Sequence, residues 1–300
     1  MQHRSALLAI HLGALMFGLS GVFGKLADSG PLIIACGRAL FAVVALALFA
    51  QLFGQSRGQR PGVRQLALLA LGGVLLGSHW LTFFLAVKVS GVGIATLGFA
   101  SFPAFTVLLE GLLFRERTRA MEFAMVGLVS LGLVLVTPEF DLSSQATSGL
   151  LWAILSGLLF SLLSLLNRAS TRGLDPVQAA LCQNLTVFAC FLPLAWPQLP
   201  QVPALDWLWL AMLGVFCTGL AHSLFVASLR VLKARTTAVI FALEPVYGIA
   251  FAWWLFNETP TLRMLVGGVL IISAIFLSAR FGAPADHPKQ EPAAAPKPIN

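Results

Sequence analysis

Four ionisable side chains interrupt long apolar runs of this chain: Arg38, His79, His222 and Glu244. A guanidinium stays charged in any surroundings and offers a planar fork matched to a carboxylate or phosphate. Arg38 is therefore read as an anchor for an anionic substrate group, against the alternative of a structural ion pair or a cap on free carbonyls. Glu244 precedes Pro245, and a proline removes one backbone hydrogen bond and frees a carbonyl. A carboxylate at such an irregular point can be hydrated beside a cavity and can take and release a proton. The bland reading is a packing glutamate, neutral or Arg-paired. His79, followed by Trp80, and His222 carry imidazoles that titrate near neutrality. A hydrogen-bonded packing role is the alternative for each.

Other polar residues have cheaper explanations. Gln183 and Asn184 suit interhelical hydrogen bonds. Lys25 can pair with Asp28 three residues on, although Lys25 and Lys88 together can also make a positive mouth above Arg38. Glu110 sits near a helix end and can snorkel. Glu116 and Glu258 each follow a helix end and precede the next helix start, where free N–H groups favour a carboxylate; Thr259 and Pro260 read as N-cap and first helical residue. No H-E-x-x-H, G-x-S-x-G, phosphate loop or metal-ligand spacing occurs, so no metal or cofactor is expected. An integral membrane enzyme would need paired catalytic groups at one depth, for which only the four intramembrane candidates are available.

The elements that must hold these residues follow from composition. Of 300 residues, 58% are apolar and 10% charged, with a mean hydropathy of +0.88, whereas soluble domains carry about 25% charged residues. This excludes a nucleic-acid binder and a soluble enzyme on a single anchor. Cys36, Cys182, Cys190 and Cys217 all lie in apolar stretches and read as buried hydrophobes. Breaking the chain at charged and Pro/Gly-rich punctuation predicts an all-α integral membrane protein with spans at 4–26, 31–53, 65–88, 91–114 and 120–137, then 148–168, 176–196, 206–229, 235–256 and 262–280. Residues 281–300, rich in proline, are expected to form a disordered tail.

Orientation follows from the 19 Lys and Arg residues. With the N-terminus inside, fifteen fall in cytoplasmic segments and three, Lys25, Lys88 and Arg263, on the other side; Arg38 is intramembrane. Positive charge is retained inside, so both termini are expected in the cytoplasm. The halves 1–137 and 148–280 also repeat at an offset of 142: Gly72 with Gly214, Gly77 with Gly219, Phe83 with Phe225, Phe99-Ala100 with Phe241-Ala242, Pro103 with Pro245, Leu113-Phe114 with Leu255-Phe256, and Glu116 with Glu258. Five spans per half is an odd number, so the second half inserts inverted, the plan of alternating-access carriers. Pro103 and Pro245 then read as paired hinges.

The stretch from Pro103 to the Phe114-x-Glu116 helix end, repeated from Pro245 to Phe256-x-Glu258, resembles the paired repeat of the EamA family in the drug/metabolite transporter superfamily. The resemblance covers nearly the whole chain. It implies ten transmembrane helices in two inverted five-helix repeats, a multi-pass bacterial inner-membrane location, and a secondary transporter exporting small metabolites such as amino acids or related carboxylates. In plan it is similar to the aromatic amino acid exporters of that superfamily. A multidrug or hydrophobic-cation efflux carrier, with Glu244 as counter-charge, is the alternative. The expected partners are a small-molecule substrate, protons and the lipid bilayer, with no nucleic acid; monomer and homodimer both remain open.

Overall fold

The computed structural model describes residues 3–52, 61–114, 120–137, 141, 143–170, 174–229, 231–232, 240 and 243–281, with no strand among them. The helices are α1 (His3–Leu26), α2 (Pro31–Leu52), α3 (Val63–Phe99), α4 (Phe102–Phe114), α5 (Ala120–Val136), α6 (Gln145–Ser170), α7 (Pro176–Ala195), α8 (Ala204–Ala211), α9 (Ala221–Leu229), α10 (Glu244–Phe256) and α11 (Leu262–Phe281). A 3-10 segment, Trp196–Gln201, follows α7, and a π-helical segment, Met212–Leu220, joins α8 to α9. Among the described residues, six stretches are long and apolar enough to cross a membrane: His3–Leu26, Pro31–Leu52, Val63–Phe99, Gln145–Arg168, Pro176–Gln201 and Ala204–Leu224.

Several expected boundaries shift for local reasons. The expected spans 65–88 and 91–114 meet at Gly91, where φ is +84° and ψ 172°. Only glycine adopts that backbone without strain, and it lets the chain turn back with hardly any loop. The fourth span is itself broken at Ala100 and Ser101, so that Pro103 is the second residue of α4. Pro245 is likewise the second residue of α10. A proline in the first helical turn lacks only an N–H that has no helical partner. Each proline thus restarts a helix after a break, where a bend within a continuous span was expected. The expected span 206–229 holds the π-helical segment. Glu116, Phe241, Ala242 and the tail from residue 282 lie outside the described residues.

Small residues set how closely the helices approach. On α1, a Cβ at Gly18 would lie 2.8 Å from the Glu244 carbonyl oxygen and one at Gly21 would lie 2.8 Å from a Val92 methyl, so α1 lies directly on α10 and α3. Gly73 and Gly77 bring α3 onto α7 in the same way, against Thr186 and Phe191. The 142-residue offset recurs in these contacts. Gly72 faces the Gln183 side chain while Gly214 faces Phe41, and both pairs are one offset apart. The main core joins α2, α3, α8 and the π segment through Ile34, Phe84, Leu210 and Leu213, all buried.

One end of the bundle is clasped. The Lys25 ammonium pairs with the Glu258 carboxylate and lies 4.8 Å from the Phe256 ring centre. Glu258 also accepts from the backbone N–H groups of Val92 (3.1 Å) and Gly93 (3.4 Å). Lys88 donates to the Ala27 carbonyl, and Asp206 accepts from the N–H groups of Asp28 (3.0 Å) and Ser29 (2.7 Å). Two expectations are corrected here. Lys25 takes Glu258 as its partner, and Glu258 caps the helical segment after Gly91 rather than its own following helix. The start of the last helix is corrected as well: α11 begins at Leu262, and Thr261, whose Oγ1 accepts from Met264 N–H at 3.2 Å, is the cap in place of Thr259. The first two corrections arise because helix starts distant in sequence lie side by side at this end.

Candidate functional site

Below the clasp lies a cavity of about 630 Å³, within the range of small-molecule sites. Arg38, His79, Trp80, His222, Glu244, Pro103 and Pro245 all line it. The helix breaks border it: α3 ends at Phe99, α4 restarts at Phe102 and α10 starts at Glu244, and Phe99, Phe102, Pro103, Glu244 and Pro245 are all in the lining.

Arg38 projects from α2 and is 5% exposed. Its Nε donates to Thr218 Oγ1 at 2.8 Å, an Nη2 proton reaches the Cys217 carbonyl at 3.5 Å, and its guanidinium carbon lies 4.2 Å from the Trp80 ring centre. Stacking and one hydrogen bond fix the plane of the fork. The π-helical segment is what presents Thr218. Its hydroxyl donates to the Leu213 carbonyl five residues back at 3.0 Å, leaving the oxygen's lone pair toward Arg38. No ion pair joins Arg38 to Glu244, although the two are within electrostatic reach across the cavity. Among the described residues the Glu244 carboxylate has neither a hydrogen bond nor an ion pair.

A second wall is aromatic. The His79 ring lies between Phe99 (5.0 Å), Phe160 (5.1 Å) and Phe83 (6.3 Å). Its Nδ1 is 2.7 Å from Ser156 Oγ and 3.3 Å from the Ser156 carbonyl, while Ser156 Oγ donates to the His79 carbonyl at 3.1 Å. A carbonyl can only accept, so Nδ1 carries the proton and Nε2 is left as an acceptor. Phe102 completes the wall, stacked 5.3 Å from Phe99 and edge-on to Phe160 at 5.2 Å.

The third group is polar and neutral. Gln183 Nε2 donates to Asn167 Oδ1 at 2.6 Å, and Asn184 Nδ2 donates to the Ala180 carbonyl at 2.8 Å. Three buried side-chain atoms have no partner among the described residues: Ser20 Oγ, Asn184 Oδ1 and His222 Nε2. All three residues line this cavity. Buried polar atoms are ordinarily satisfied, so three unpartnered ones on the residues that line one cavity mark it as a candidate for water or a polar ligand. A separate recess of about 560 Å³ at the clasped end is lined by Lys25, Lys88, Gly91 and Glu258. There the lysines already hold protein partners. At the opposite end Glu110 is paired with Arg168 at 2.6 Å, so it is an ion-pair partner rather than a lone snorkelling carboxylate.

Comparison with known proteins places the chain in a family. The EamA-like transporter family pattern matches residues 4–137 and again residues 147–280. The chain belongs to the EamA-like transporter family. The "Uncharacterized transporter YxxF" of Bacillus subtilis is 22% identical over 284 residues, covering 92% of this chain and 90% of the relative. An "Uncharacterized transporter" of Archaeoglobus fulgidus is 24% identical over 272 residues, with 91% and 95% covered. The "Probable amino-acid metabolite efflux pump" of Salmonella typhimurium is 25% identical over 298 residues, with 93% and 95% covered. A solved crystal structure superposes with a TM-score of 0.61 at 18% identity, covering 92% of this chain and 97% of its own, and shows the same fold.

In this EamA-like transporter, the cost of burying charge singled out Arg38, Glu244 and the two histidines. Thr218, Ser156 and Asn167 were missed. Hydroxyls and amides are common in helices, and only the packing supplies their partners: the π segment brings Thr218 to Arg38, α6 against α3 brings Ser156 to His79, and α6 beside α7 brings Asn167 to Gln183.

Proposed function

We propose that the chain is a secondary carrier of α-amino acids or closely related zwitterionic metabolites, acting as an exporter in the bacterial inner membrane. The observation that carries this reading is that Arg38 and Glu244 line one cavity with no ion pair between them. Opposite charges held apart in a low-dielectric space are each left to a ligand, and a zwitterion satisfies both at once. The fork of Arg38 takes the carboxylate and Glu244 takes the ammonium, while the Phe83–Phe99–Phe160 wall receives an apolar body. In the empty site Glu244 takes a proton instead, so substrate and proton compete for it and exchange across the membrane.

The fifteen-to-three distribution of basic residues supports cytoplasmic termini, with the clasped end outside. Leu46, Asn167 and Ala180 of the cavity lining lie toward the opposite ends of α2, α6 and α7. The conformation is thus read as open inward, with the two helix breaks before Pro103 and Pro245 as hinges of alternating access. The aromatic wall favours one second reading, a hydrophobic-cation carrier that uses Glu244 alone.

Counterflow in proteoliposomes separates these readings. Liposomes loaded with a neutral amino acid should accumulate the labelled compound transiently and saturably. The corresponding amine, which lacks the carboxylate, and the N-acetyl acid, which lacks the ammonium, should exchange poorly. Equal exchange of the amine supports the cation carrier and overturns the zwitterion reading.

A further inference from the structure

We propose that Asn184 forms a distal subsite that selects substrates bearing a hydrogen-bond donor at the end away from the zwitterionic head. The proposal rests on the amino-acid reading of the Arg38–Glu244 pair and adds a specificity determinant to it. Asn184 is 3% exposed, lines the cavity, and has a buried Oδ1 without a partner. Of the three unpartnered buried atoms, this one has a fixed polarity. A hydroxyl rotates and an imidazole changes tautomer, so Ser20 and His222 can each present either character. The Asn184 amide cannot flip, because its Nδ2 donates to the Ala180 carbonyl at 2.8 Å and a flipped amide would set two acceptors against each other. This cavity-lining residue is thus left with a buried acceptor that only a donor can satisfy.

The position of Asn184 fits such a role. Arg38 is the eighth residue of α2, counted from the clasped end, and Asn184 the ninth of α7, counted from the other end. At a rise of about 1.5 Å per residue the two lie roughly 8 Å apart along the bundle, about the reach of an amino-acid side chain. The first half shows no equivalent. At the 142-residue offset, Asn184 corresponds to Ala42 and Gln183 to Phe41, so the shared helix packing does not require amides here. Gly72 leaves room for them: a Cβ there would lie 2.6 Å from Gln183 Nε2. The neighbouring Gln183–Asn167 hydrogen bond is internally satisfied on its donor side and holds the amide layer in place.

An unpaired buried acceptor discriminates by roughly tenfold against a ligand lacking the donor. The test uses competition in counterflow by two pairs matched in size, glutamine against methionine and tyrosine against phenylalanine. In the wild type the donor-bearing member of the better-bound pair should compete about tenfold better. Asn184→Leu and the smaller Asn184→Ala should erase that preference while continuing to exchange the apolar member. Asn184→Asp, which keeps an acceptor, should retain it. If the four amino acids exchange but neither pair shows a preference, or the preference survives in both the Leu and Ala variants, the subsite is refuted and the zwitterion site stands. If none of the four exchanges, the zwitterion reading falls and takes the subsite with it.

Discussion

Replacing Gly91 by alanine should loosen the clasped end of the bundle. With φ at +84° and ψ at 172°, the position lies in a region that residues with a side chain enter only at a cost of about 1–3 kcal/mol. The added methyl would also sit 2.8 Å from Glu258 Oε1 and 3.0 Å from its Cδ, so the carboxylate must move. That carboxylate holds Lys25 and the N–H groups of Val92 and Gly93, and displacing it gives up about 1–2 kcal/mol more in charge-assisted hydrogen bonds. A combined loss near 3 kcal/mol corresponds to roughly a hundredfold change in the open-to-closed ratio of this end. Ser20, which lines the cavity below the clasp, provides the reporter. In a background with the four native cysteines replaced, Ser20→Cys should react slowly with an impermeant maleimide applied from outside. It should react up to a hundredfold faster once Gly91→Ala is added, and by an intermediate factor with Glu258→Ala. If both variants label at the parent rate with unchanged thermal stability, the clasp does not close the outer end.

Three further outcomes are expected. Arg38→Lys keeps the charge but loses the Nε bond to Thr218 and the fork, so it should weaken substrate binding by at least tenfold, about 1.5–3 kcal/mol, without loss of folded protein; unchanged counterflow affinity removes Arg38 from the site. Because a proton and the substrate ammonium compete for Glu244, apparent affinity in the wild type should fall as pH is lowered, and Glu244→Gln should bind more weakly with a flat profile; a flat profile in the wild type contradicts the competition. A cysteine at Ser144 should label from outside intact cells and one at Ser56 should not, and the reverse pattern inverts the orientation.

The intramembrane charges were legible in the sequence because burial of an ionisable group is expensive enough to have few explanations. That argument picked Arg38, His79, His222 and Glu244, and all four line one cavity. It could not show that Arg38 is oriented by Thr218, because a π-helical segment has no clear signature among residues as ordinary as Met212–Leu220. The prolines were legible as irregularities but not as helix starts. Pro103 and Pro245 restart helices after breaks, and a proline is compatible with either a kink or a first turn. Glu258 was recognised as a carboxylate at a helix start, yet its N–H partners belong to residues 166 and 165 positions away, Val92 and Gly93. Contacts at that range depend on how the helices stack, which periodicity and capping rules do not encode.

The central claim, that a zwitterionic amino acid binds between Arg38 and Glu244 against the aromatic wall, is tested most directly by photolabelling the purified protein with a diazirine analogue of leucine and mapping the adducts by peptide mass spectrometry. The account predicts adducts on the peptides carrying Phe83, Phe99 and Phe160, lost when excess unlabelled amino acid is present and lost in Arg38→Lys. Adducts confined to outward-facing residues such as Leu112, Trp254 or Leu262, indifferent to competitor and to the substitution, would contradict it.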